Sequence, residues 1–352
     1  MLTSGQIDGH KLHHHPERVS SWLKGQNIFP IYVEVGITSA CNHRCIFCAL
    51  DFTGYKAKSI DRDVMLHALS DMAANGVKSV MFGGEGEPTL HKDFAMFVKH
   101  AKDSGLDVAL TTNGVPFTRK LAELCLPHLS WLKFSIDAGT PETYAKIHGT
   151  KPGDFARLMD NISDAVSIKK AGSYPVAIGT QALLINENSA EIVALAGKMR
   201  GLQVDYLAVK PFSQHPDSKN RFSVDYSEFG RLRKQLMGLA TGRFHVAYRE
   251  ETMKKLKIER NYAVCHSIPF FTLIDACGNV IPCNLFYGKE DYYYGNLHDS
   301  SFSQIWNSSK RRKVLERIDR DGTIKCRENC RLDAINRYLH SLKNPPEHVN
   351  FI

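Results

Sequence analysis

The stretch ITSACNHRCIFCA (residues 37–49) places Cys41, Cys45 and Cys48 within eight residues, in the spacing Cys-x3-Cys-x2-Cys. Three thiolates this close together can hold one soft metal centre from a single loop. A cubane iron–sulfur cluster has four ligand positions, so three cysteines leave one iron free to bind another molecule. An open position is typical of a catalytic metal site, because a structural site closes it with a fourth protein ligand.

Two other interpretations of this loop compete with the cluster. A structural zinc site needs a fourth Cys or His at ligand spacing, and His43 lies inside the loop, where it could hardly complete a tetrahedron with its own neighbours. Cys45 and Cys48 alone could form a redox dithiol. The third cysteine, four residues upstream at Cys41, favours the metal centre over the dithiol.

The cysteine loop resembles that of the radical S-adenosylmethionine (radical SAM) enzymes, including the aromatic Phe47 just before the last cysteine. The resemblance implies a 4Fe–4S cluster on Cys41, Cys45 and Cys48, whose free iron chelates the amino and carboxylate groups of SAM. It also implies that an electron passes from the cluster to SAM, and that a 5′-deoxyadenosyl radical then abstracts hydrogen from a substrate.

Composition bounds the class of protein. The chain has 352 residues, 43% of them hydrophobic and 23% charged, as in ordinary soluble globular proteins. It has no run of eighteen apolar residues, and its first residues lack the features of a secretory signal. Nine cysteines cluster like ligands rather than like a disulfide framework. We therefore expect a cytoplasmic protein without a membrane span.

Short β-rich runs alternate with amphipathic periods from residue 31 onward. We predict strands over residues 32–37, 77–82, 106–110, 131–136, 176–184 and 206–209, and helices over 61–74, 93–101, 119–126, 141–147, 155–169, 189–199 and, beyond the last strand, 227–239. Such alternation implies parallel strands with right-handed crossovers. The predicted fold is α/β, a partial (β/α)6 TIM-like barrel with a small C-terminal auxiliary-cluster domain. Its chemistry should lie at the C-terminal ends of the strands, where the cysteine loop begins.

The second predicted strand ends in GGEGEP (residues 83–88), where glycines let the backbone approach a ligand closely. A dinucleotide fingerprint fails here, because Thr89 replaces the third glycine. The segment resembles instead the Gly-Gly-Glu-Pro segment with which radical SAM enzymes hold the SAM amino group. Two registers remain open: Gly86 with Glu87, which the position of the proline favours, or Gly84 with Glu85.

Further polar residues follow at the ends of the next strands: Thr112 and Asn113 after the third, and Ser135 and Asp137 on the fourth. Together they resemble the family's contacts to the SAM ribose and carboxylate. Gln181 on the fifth strand and Lys210 on the sixth are further candidates, although ordinary polar residues of a barrel would look the same.

A second cysteine group follows the barrel. Cys265 and Cys283 are separated by Cys-x12-Gly-x4-Cys spacing, and Cys326-x3-Cys330 comes later. With the Gly295-Asn296-Leu297 segment between them, this tail resembles the auxiliary-cluster domain called SPASM, or its shorter twitch form. The resemblance implies a second 4Fe–4S cluster on the four cysteines. A tetrahedral zinc ion bound by the same four cysteines is the alternative.

Two cysteines remain. Cys125 falls in an apolar helical period and is expected in the core. Cys277 has three interpretations: a buried residue, a substitute cluster ligand, or a thiol that donates hydrogen to a substrate radical.

The resemblance divides the chain into an N-terminal extension (1–30), a radical SAM barrel (31–255) and an auxiliary-cluster domain with a C-terminal helix (256–352). The auxiliary cluster could accept an electron from the substrate, relay electrons to the first cluster or support the fold. A flavodoxin- or ferredoxin-like reductant is the implied partner. Alternatives are radical modification of a peptide or nucleic acid base, and a non-enzymatic electron carrier, which would need no nucleoside pocket.

Charge indicates the substrate class. The formal net charge is +8, which favours an anionic partner such as a phosphorylated small molecule or a polynucleotide. Together with Lys210 and the leading histidines, it predicts a small, anionic substrate of the nucleotide, sugar or sugar-phosphate type. His10, His13, His14 and His15 could bind a metal, face such a substrate or simply be exposed. The basic run at residues 310–313 is typical of a solvated helix face.

Overall fold

The fold is a twisted, mostly parallel sheet with helices on its outer side. A computed structural model describes residues 10–256, 258–323 and 326–351. Its strands are β1 (Tyr32–Val35), β2 (Ser79–Phe82), β3 (Asp107–Thr112), β4 (Trp131–Ser135), β5 (Ala177–Leu184), β6 (Tyr206–Pro211), β7 (His245–Tyr248), β8 (Phe271–Ile274), β9 (Asn279–Ile281) and β10 (Gly295–Asn296). They form one sheet in the order β10-β9-β8-β1-β2-β3-β4-β5-β6-β7.

Helices connect the strands and continue after them. They are α1 (Pro16–Leu23), α2 (Arg62–Ala74), α3 (Phe94–Asp103), α4 (Arg119–Cys125), α5 (Pro141–His148), α6 (Gly153–Ala171), α7 (Ile192–Gly201), α8 (Gly230–Met237), α9 (Glu250–Lys255), α10 (Phe302–Asn307), α11 (Ser309–Asp321) and α12 (Asp333–Lys343). None of the described helices is long and apolar enough to cross a membrane.

The partial barrel is confirmed, because β1 to β6 pair in parallel in chain order with a helix in each crossover. The structure adds β7, which pairs in parallel with β6 and which we did not predict. This strand has only four residues and follows a long polar connection, so its hydrophobic pattern is too short to stand out.

The core lies between the sheet and its outer helices. Helix α2 shows why: Met65, Leu69 and Met72 recur at helical spacing and are fully buried. Burying each such side chain contributes about 2 kcal/mol. The opposite face of the sheet carries polar side chains, because residues alternate between the two faces along each strand. On β4, Leu132 and Phe134 are buried in the core, whereas Lys133 and Ser135 line an internal cavity.

The C-terminal part joins the same sheet. Strand β8 pairs in parallel with β1, with Tyr32 opposite Phe271 and Val35 opposite Ile274. Strands β9 and β10 then extend the sheet as antiparallel neighbours. The proposed boundary near residue 255 stays a prediction, and backbone hydrogen bonds link the strands on its two sides.

The N-terminal extension packs against the C-terminal helix. Leu12, Val19 and Ile28 form a small buried cluster with Phe270 and Leu339. The ring of His10 lies 4.6 Å from that of Tyr338. Within the described chain, the imidazoles near residue 10 do not form a metal-ligand group, so the part of the extension that the structure describes is held by apolar packing.

The basic run at residues 310–313 lies on α11. Lys310, Arg312 and Lys313 are exposed, as expected for a solvated face. Arg311 differs: it is buried, and its guanidinium carbon lies 3.7 Å from the centre of the Trp306 ring. This cation–π contact places one cation of the run in the core.

Candidate active site

The cysteine loop follows β1 and is held by hydrogen bonds to two other segments of the chain. The backbone amide of Glu87 donates to the carbonyl of Ala40 at 2.7 Å, and that of Arg44 donates to the carbonyl of His148 at 2.9 Å. The loop is therefore tied both to the segment after β2 and to the end of α5.

Two glycines allow this close approach. A Cβ atom on Gly86 would lie 2.2 Å from the carbonyl oxygen of Thr38, and one on Gly149 would lie 2.3 Å from that of Arg44. Both glycines have positive φ angles, +59° and +56°, which residues other than glycine rarely adopt. Each is required twice over, by its backbone conformation and by the neighbouring loop.

Cys41, Cys45 and Cys48 line a cavity of about 700 Å³ at the C-terminal ends of the strands. Burial raises the pKa of Cys41 to about 11 and that of Cys45 well above its usual value, and the neighbouring thiols raise both further. Three thiolates would repel one another in this half-buried loop, so they need a cation among them. The donor set fits a thiolate-bound iron cluster.

A second donor group touches the same loop. Ligand atoms of His43, Cys45 and His148 lie within 4.8 Å of one another. Neither ring nitrogen of His43 has a hydrogen-bond partner among the described residues, and burial lowers the pKa of His43 to about 4. A single metal ion here would compete with the three-cysteine site, because both need Cys45.

Glu87 lines the cavity, and both oxygens of its carboxylate accept hydrogen bonds. Oε1 accepts from the amide and hydroxyl of Thr89 (3.1 and 2.7 Å) and from the hydroxyl of Thr112 (2.6 Å), and Oε2 accepts from the amide of Asn113 (2.7 Å). Burial nevertheless raises its pKa. The carboxylate thus fixes the ends of β2 and β3 relative to each other.

Glu85 points away from the cavity. Its Oε2 accepts from the amide of Ala276 at 2.9 Å, at the turn between β8 and β9, and burial raises its pKa to about 7. Of the two registers left open by the sequence, the structure places Gly86 and Glu87 beside the cysteine loop and turns the Glu85 side chain towards the C-terminal part.

The other predicted SAM contacts converge on the same cavity. Its wall includes residues from six successive strands or the segments that follow them: Phe47, Gly84, Gly86, Glu87, Thr112, Asn113, Ser135, Asp137, Gln181 and Lys210. Nδ2 of Asn113 donates to Oδ1 of Asn42 in the cysteine loop at 2.7 Å. Oδ1 of Asp137 accepts from the amide of Leu183 at 2.5 Å. Their assignment to SAM stays a prediction.

The four cysteines of the second group lie close together, and their assignment to a cluster stays a prediction. Cys283 follows β9, Cys326 and Cys330 lie between α11 and α12, and all three line the same cavity as the first group. Cys265 is not part of the cavity wall, yet its charge raises the pKa of each of these three thiols, so the four lie close together.

Asn336 is a neighbour of this group that the sequence did not reveal. Its Nδ2 lies 3.6 Å from Sγ of Cys265 and its Oδ1 accepts from the amide of Ser267 at 3.0 Å. The residue is buried on α12, where no local motif marks it.

Cys277 lies apart from both groups, in the turn between β8 and β9. Its amide donates to Asp275 at 2.9 Å, and burial raises its pKa. Its thiol is not part of the described cavity wall. The assignment as a hydrogen donor stays a prediction, which substitution by Ala tests.

Four of the cations that line the cavity act on one another electrostatically, and one of these four was predicted. Lys133, Lys210, Arg249 and Arg331 come from β4, β6, the residue after β7 and the loop before α12. A period of two from Ser135 could have revealed Lys133. Arg249 and Arg331 follow no motif, since their placement depends on β7 and on the second cysteine loop.

Two segments of the chain match the models of known protein families. Residues 35–198 match the family model of the radical SAM superfamily, and residues 265–331 match that of an iron–sulfur cluster-binding domain named SPASM. The chain belongs to the radical SAM superfamily. As an enzyme of this superfamily, it uses SAM, the 4Fe–4S cluster that binds SAM, and an auxiliary iron–sulfur centre. Membership in the superfamily favours an enzymatic function over that of an electron carrier.

Relatives in the superfamily have varied names. The chain is 27% identical over 300 residues to a tungsten-containing aldehyde ferredoxin oxidoreductase cofactor-modifying protein of Pyrococcus furiosus, covering 79% of this chain and 81% of the relative. It is 31% identical over 188 residues to a GTP 3′,8-cyclase of Chlorobaculum tepidum, covering 52% of this chain and about half (55%) of that relative.

Among solved structures, SuiB of Streptococcus suis bound to its precursor peptide SuiA superposes with a TM-score of 0.66 at 18% identity. The superposition covers 85% of this chain and 70% of SuiB. At this identity the likeness concerns the fold alone, and it agrees with the partial barrel described above.

Proposed function

We propose that this radical SAM enzyme removes a hydrogen atom from a small anionic substrate, of the nucleotide, sugar or sugar-phosphate type, inside the cavity. The observation that carries this proposal is that the first cysteine group, three cysteines of the second group and a cluster of cations line one cavity of about 700 Å³. This volume is typical of sites that enclose small-molecule ligands.

Cys41, Cys45 and Cys48 would hold the first cluster, and Cys265, Cys283, Cys326 and Cys330 the auxiliary one. When bound, SAM and the first cluster supply a 5′-deoxyadenosyl radical as the hydrogen-abstracting agent. The chain's own residues position the reactants and exclude water around them.

Polar groups at the strand ends would orient SAM. The side chains of Asn113, Ser135 and Gln181 face the cavity and offer amide and hydroxyl partners. The carboxylate of Glu87 is largely taken up by donors from Thr89, Thr112 and Asn113, so it would act mainly by fixing the backbone that SAM contacts.

The cationic wall supports an anionic substrate. Lys133, Lys210, Arg249 and Arg331 all line the cavity, and the overall charge of the chain is +8. A relative named GTP 3′,8-cyclase acts, by its name, on a nucleotide. The cytoplasmic location and the flavodoxin- or ferredoxin-like reductant expected from the sequence belong to the same proposal.

Incubation of reconstituted, reduced protein with SAM under anaerobic conditions tests the reaction. We expect release of 5′-deoxyadenosine, and about eight iron atoms per chain if both centres are cubanes. Cys45→Ala and Cys283→Ala should each retain about four iron atoms, and Cys45→Ala should release no 5′-deoxyadenosine.

Cys125→Ala is the matched control, because Cys125 is buried in the core away from the cavity and should not change the iron content. Release of 5′-deoxyadenosine by Cys45→Ala would contradict the assignment of the first cluster. The same assay with Cys277→Ala tests the predicted hydrogen donor, since an unchanged product would remove that role.

The substrate can then be sought by isotope transfer. Candidate anionic compounds carrying deuterium should pass it to 5′-deoxyadenosine only if the labelled C–H bond is the one attacked. Transfer from a peptide, and from none of the anionic small molecules, would overturn the proposed substrate class.

A further inference from the structure

Two lysines on the inner wall of the cavity form no ion pair with the residues that the structure describes. Lys133 on β4 and Lys210 on β6 are separated by β5, and both line the cavity. Neither amine has a hydrogen bond or an ion pair with any described residue. Lys133 has one aromatic contact, with its amine 5.3 Å from the centre of the Trp131 ring.

We propose that Lys133, Lys210, Arg249 and Arg331 form a binding site for a phosphate group of the substrate. The inference rests on the proposed function, and it names the part of the substrate that the cavity recognises. It is carried by the convergence of four cations from four separate segments on one cavity.

Electrostatics support this site. Burial and the nearby charges of Arg331 and Arg249 lower the pKa of Lys133 to about 8. Burial and the charges of Lys133, Arg249 and Arg331 lower the pKa of Lys210 well below its ordinary value. The four cations therefore lie close enough to repel one another, and a bound anion would relieve this repulsion.

Among the residues that the structure describes, the carboxylates near this site form no ion pair with Lys133 or Lys210. Glu34 forms an ion pair with Arg331, and both side chains line the cavity. The charge of Asp137 opposes the lowering of the pKa of Lys210, and Oδ1 of Asp137 also accepts from the amide of Leu183. Both lysines are left facing the cavity with capacity for a ligand.

The type of cation favours phosphate over a single carboxylate. Guanidinium groups bind phosphate oxygens in pairs, and lysine amines add point charges from other directions. Four cations around one space suit a group that carries two charges and three terminal oxygens. This space adjoins the first cysteine group, since both line the same cavity.

Calorimetric titration of the reconstituted holoenzyme with sodium pyrophosphate tests the site, with saturating SAM, no reductant and constant ionic strength. We expect binding to the unaltered protein and binding about tenfold weaker in Lys133→Gln, the loss of one charged contact. Lys310→Gln, which removes an exposed lysine on α11, should bind as the unaltered protein does. Succinate, a dicarboxylate probe, should bind at least tenfold more weakly than pyrophosphate.

Three results would each overturn the proposal: no binding of pyrophosphate, equal binding by Lys133→Gln, or succinate binding as tight as that of pyrophosphate. Binding that occurs only without SAM would also overturn it, because the cations would then hold the SAM carboxylate. Thermal unfolding of Lys133→Gln checks that the variant is folded. This experiment needs no reductant, so its failure is distinct from a failure to release 5′-deoxyadenosine.

Discussion

Nδ1 of His148 lies 3.3 Å from Sγ of Cys45, and Nε2 of the same ring lies 3.3 Å from Oδ2 of Asp137. His148 and Asp137 are only 1% and 2% exposed. A buried imidazole therefore stands between a carboxylate at the end of β4 and a proposed cluster ligand. Such neighbours orient metal ligands and adjust the electronic properties of the metal.

Replacing His148 should change the reduction potential of the first cluster. We assign a proton to Nδ1 of His148, because a thiolate sulfur can only accept a hydrogen bond. A ring N–H that donates to sulfur favours the more negative, reduced state, so His148→Leu should lower the potential. A difference of about 1 kcal/mol between the redox states corresponds to about 40 mV for one electron. Electron paramagnetic resonance during redox titration measures this shift.

His148→Gln is the conservative counterpart, because its amide can still donate towards the sulfur. We expect a smaller shift in potential than for His148→Leu. Equal potentials in the unaltered protein and in His148→Leu would show that the imidazole only fills space.

Substitution of Gly86 should disrupt the cysteine loop. The Cβ of Gly86→Ala would lie 2.2 and 2.7 Å from the carbonyl oxygens of Thr38 and Ala40, which belong to the backbone of that loop. We expect reconstituted Gly86→Ala to lose the iron of the first cluster, about four atoms per chain. Iron and sulfide analysis measures the loss.

Gly105→Ala is the control for backbone strain. Gly105 also has a positive φ, +90°, but a Cβ atom there would have nothing within 4 Å. Both variants incur the left-handed penalty of about 1–2 kcal/mol, and only Gly86→Ala adds the clash. Equal iron loss in the two would mean that strain alone, rather than contact with the loop, explains the effect.

Glu87 and Glu85 should respond differently to the same change. In Glu87→Gln, the new amide would place a donor against groups that now donate to the carboxylate, at a cost of about 1–3 kcal/mol. We expect weaker SAM binding by this variant, measured by equilibrium dialysis of the reconstituted protein. Glu85→Gln should bind SAM normally, and weaker binding by Glu85→Gln alone would reverse the assignment of the two registers.

Glu85 should also make stability depend on pH. Its pKa is raised from 4.5 to about 7 because burial disfavours the charged form. The folded state therefore holds a proton that the unfolded state releases, so this contribution to stability is present below pH 4.5 and is lost as the pH rises towards about 7.

The thermal midpoint of Glu85→Gln, relative to that of the unaltered protein, should therefore rise between about pH 5 and pH 8. Glu187→Gln, an exposed substitution in the loop after β5, should show no such trend. A constant difference in midpoint across this range would contradict the raised pKa.

Affinity for pyrophosphate should fall as the pH is raised past about 8. Lys133, which faces Arg331, Arg249 and Glu34, loses its proton in that range and can then no longer attract an anion. Lys133→Arg keeps its charge at high pH, so its affinity should decline less between pH 7.5 and 9. Identical pH profiles for the two proteins would exclude Lys133 as the titrating contact.

Local patterns were sufficient for the barrel and for the two cysteine groups. Six strands and their helices were recognisable from hydrophobic periodicity, and the cysteines from their spacing. Local patterns could not decide between Glu85 and Glu87, because that choice depends on the contact of Glu85 with Ala276, which is far away in the chain. Long-range pairing also places Arg331 beside Glu34. These two residues are too far apart in the chain for a local sequence pattern to reveal their contact.

The in-register pairing of β8 with β1 has one further consequence. An iron–sulfur domain joined to the rest of a protein by a flexible linker could move towards an electron donor and back. Here β9, which leads to Cys283, is hydrogen-bonded to β8, and β8 is hydrogen-bonded to β1, which leads to Cys41. The gap that any electron exchanged between the two centres would cross is therefore built into the scaffold. Tunnelling between them would then proceed at one rate through every turnover, without waiting for a domain to move.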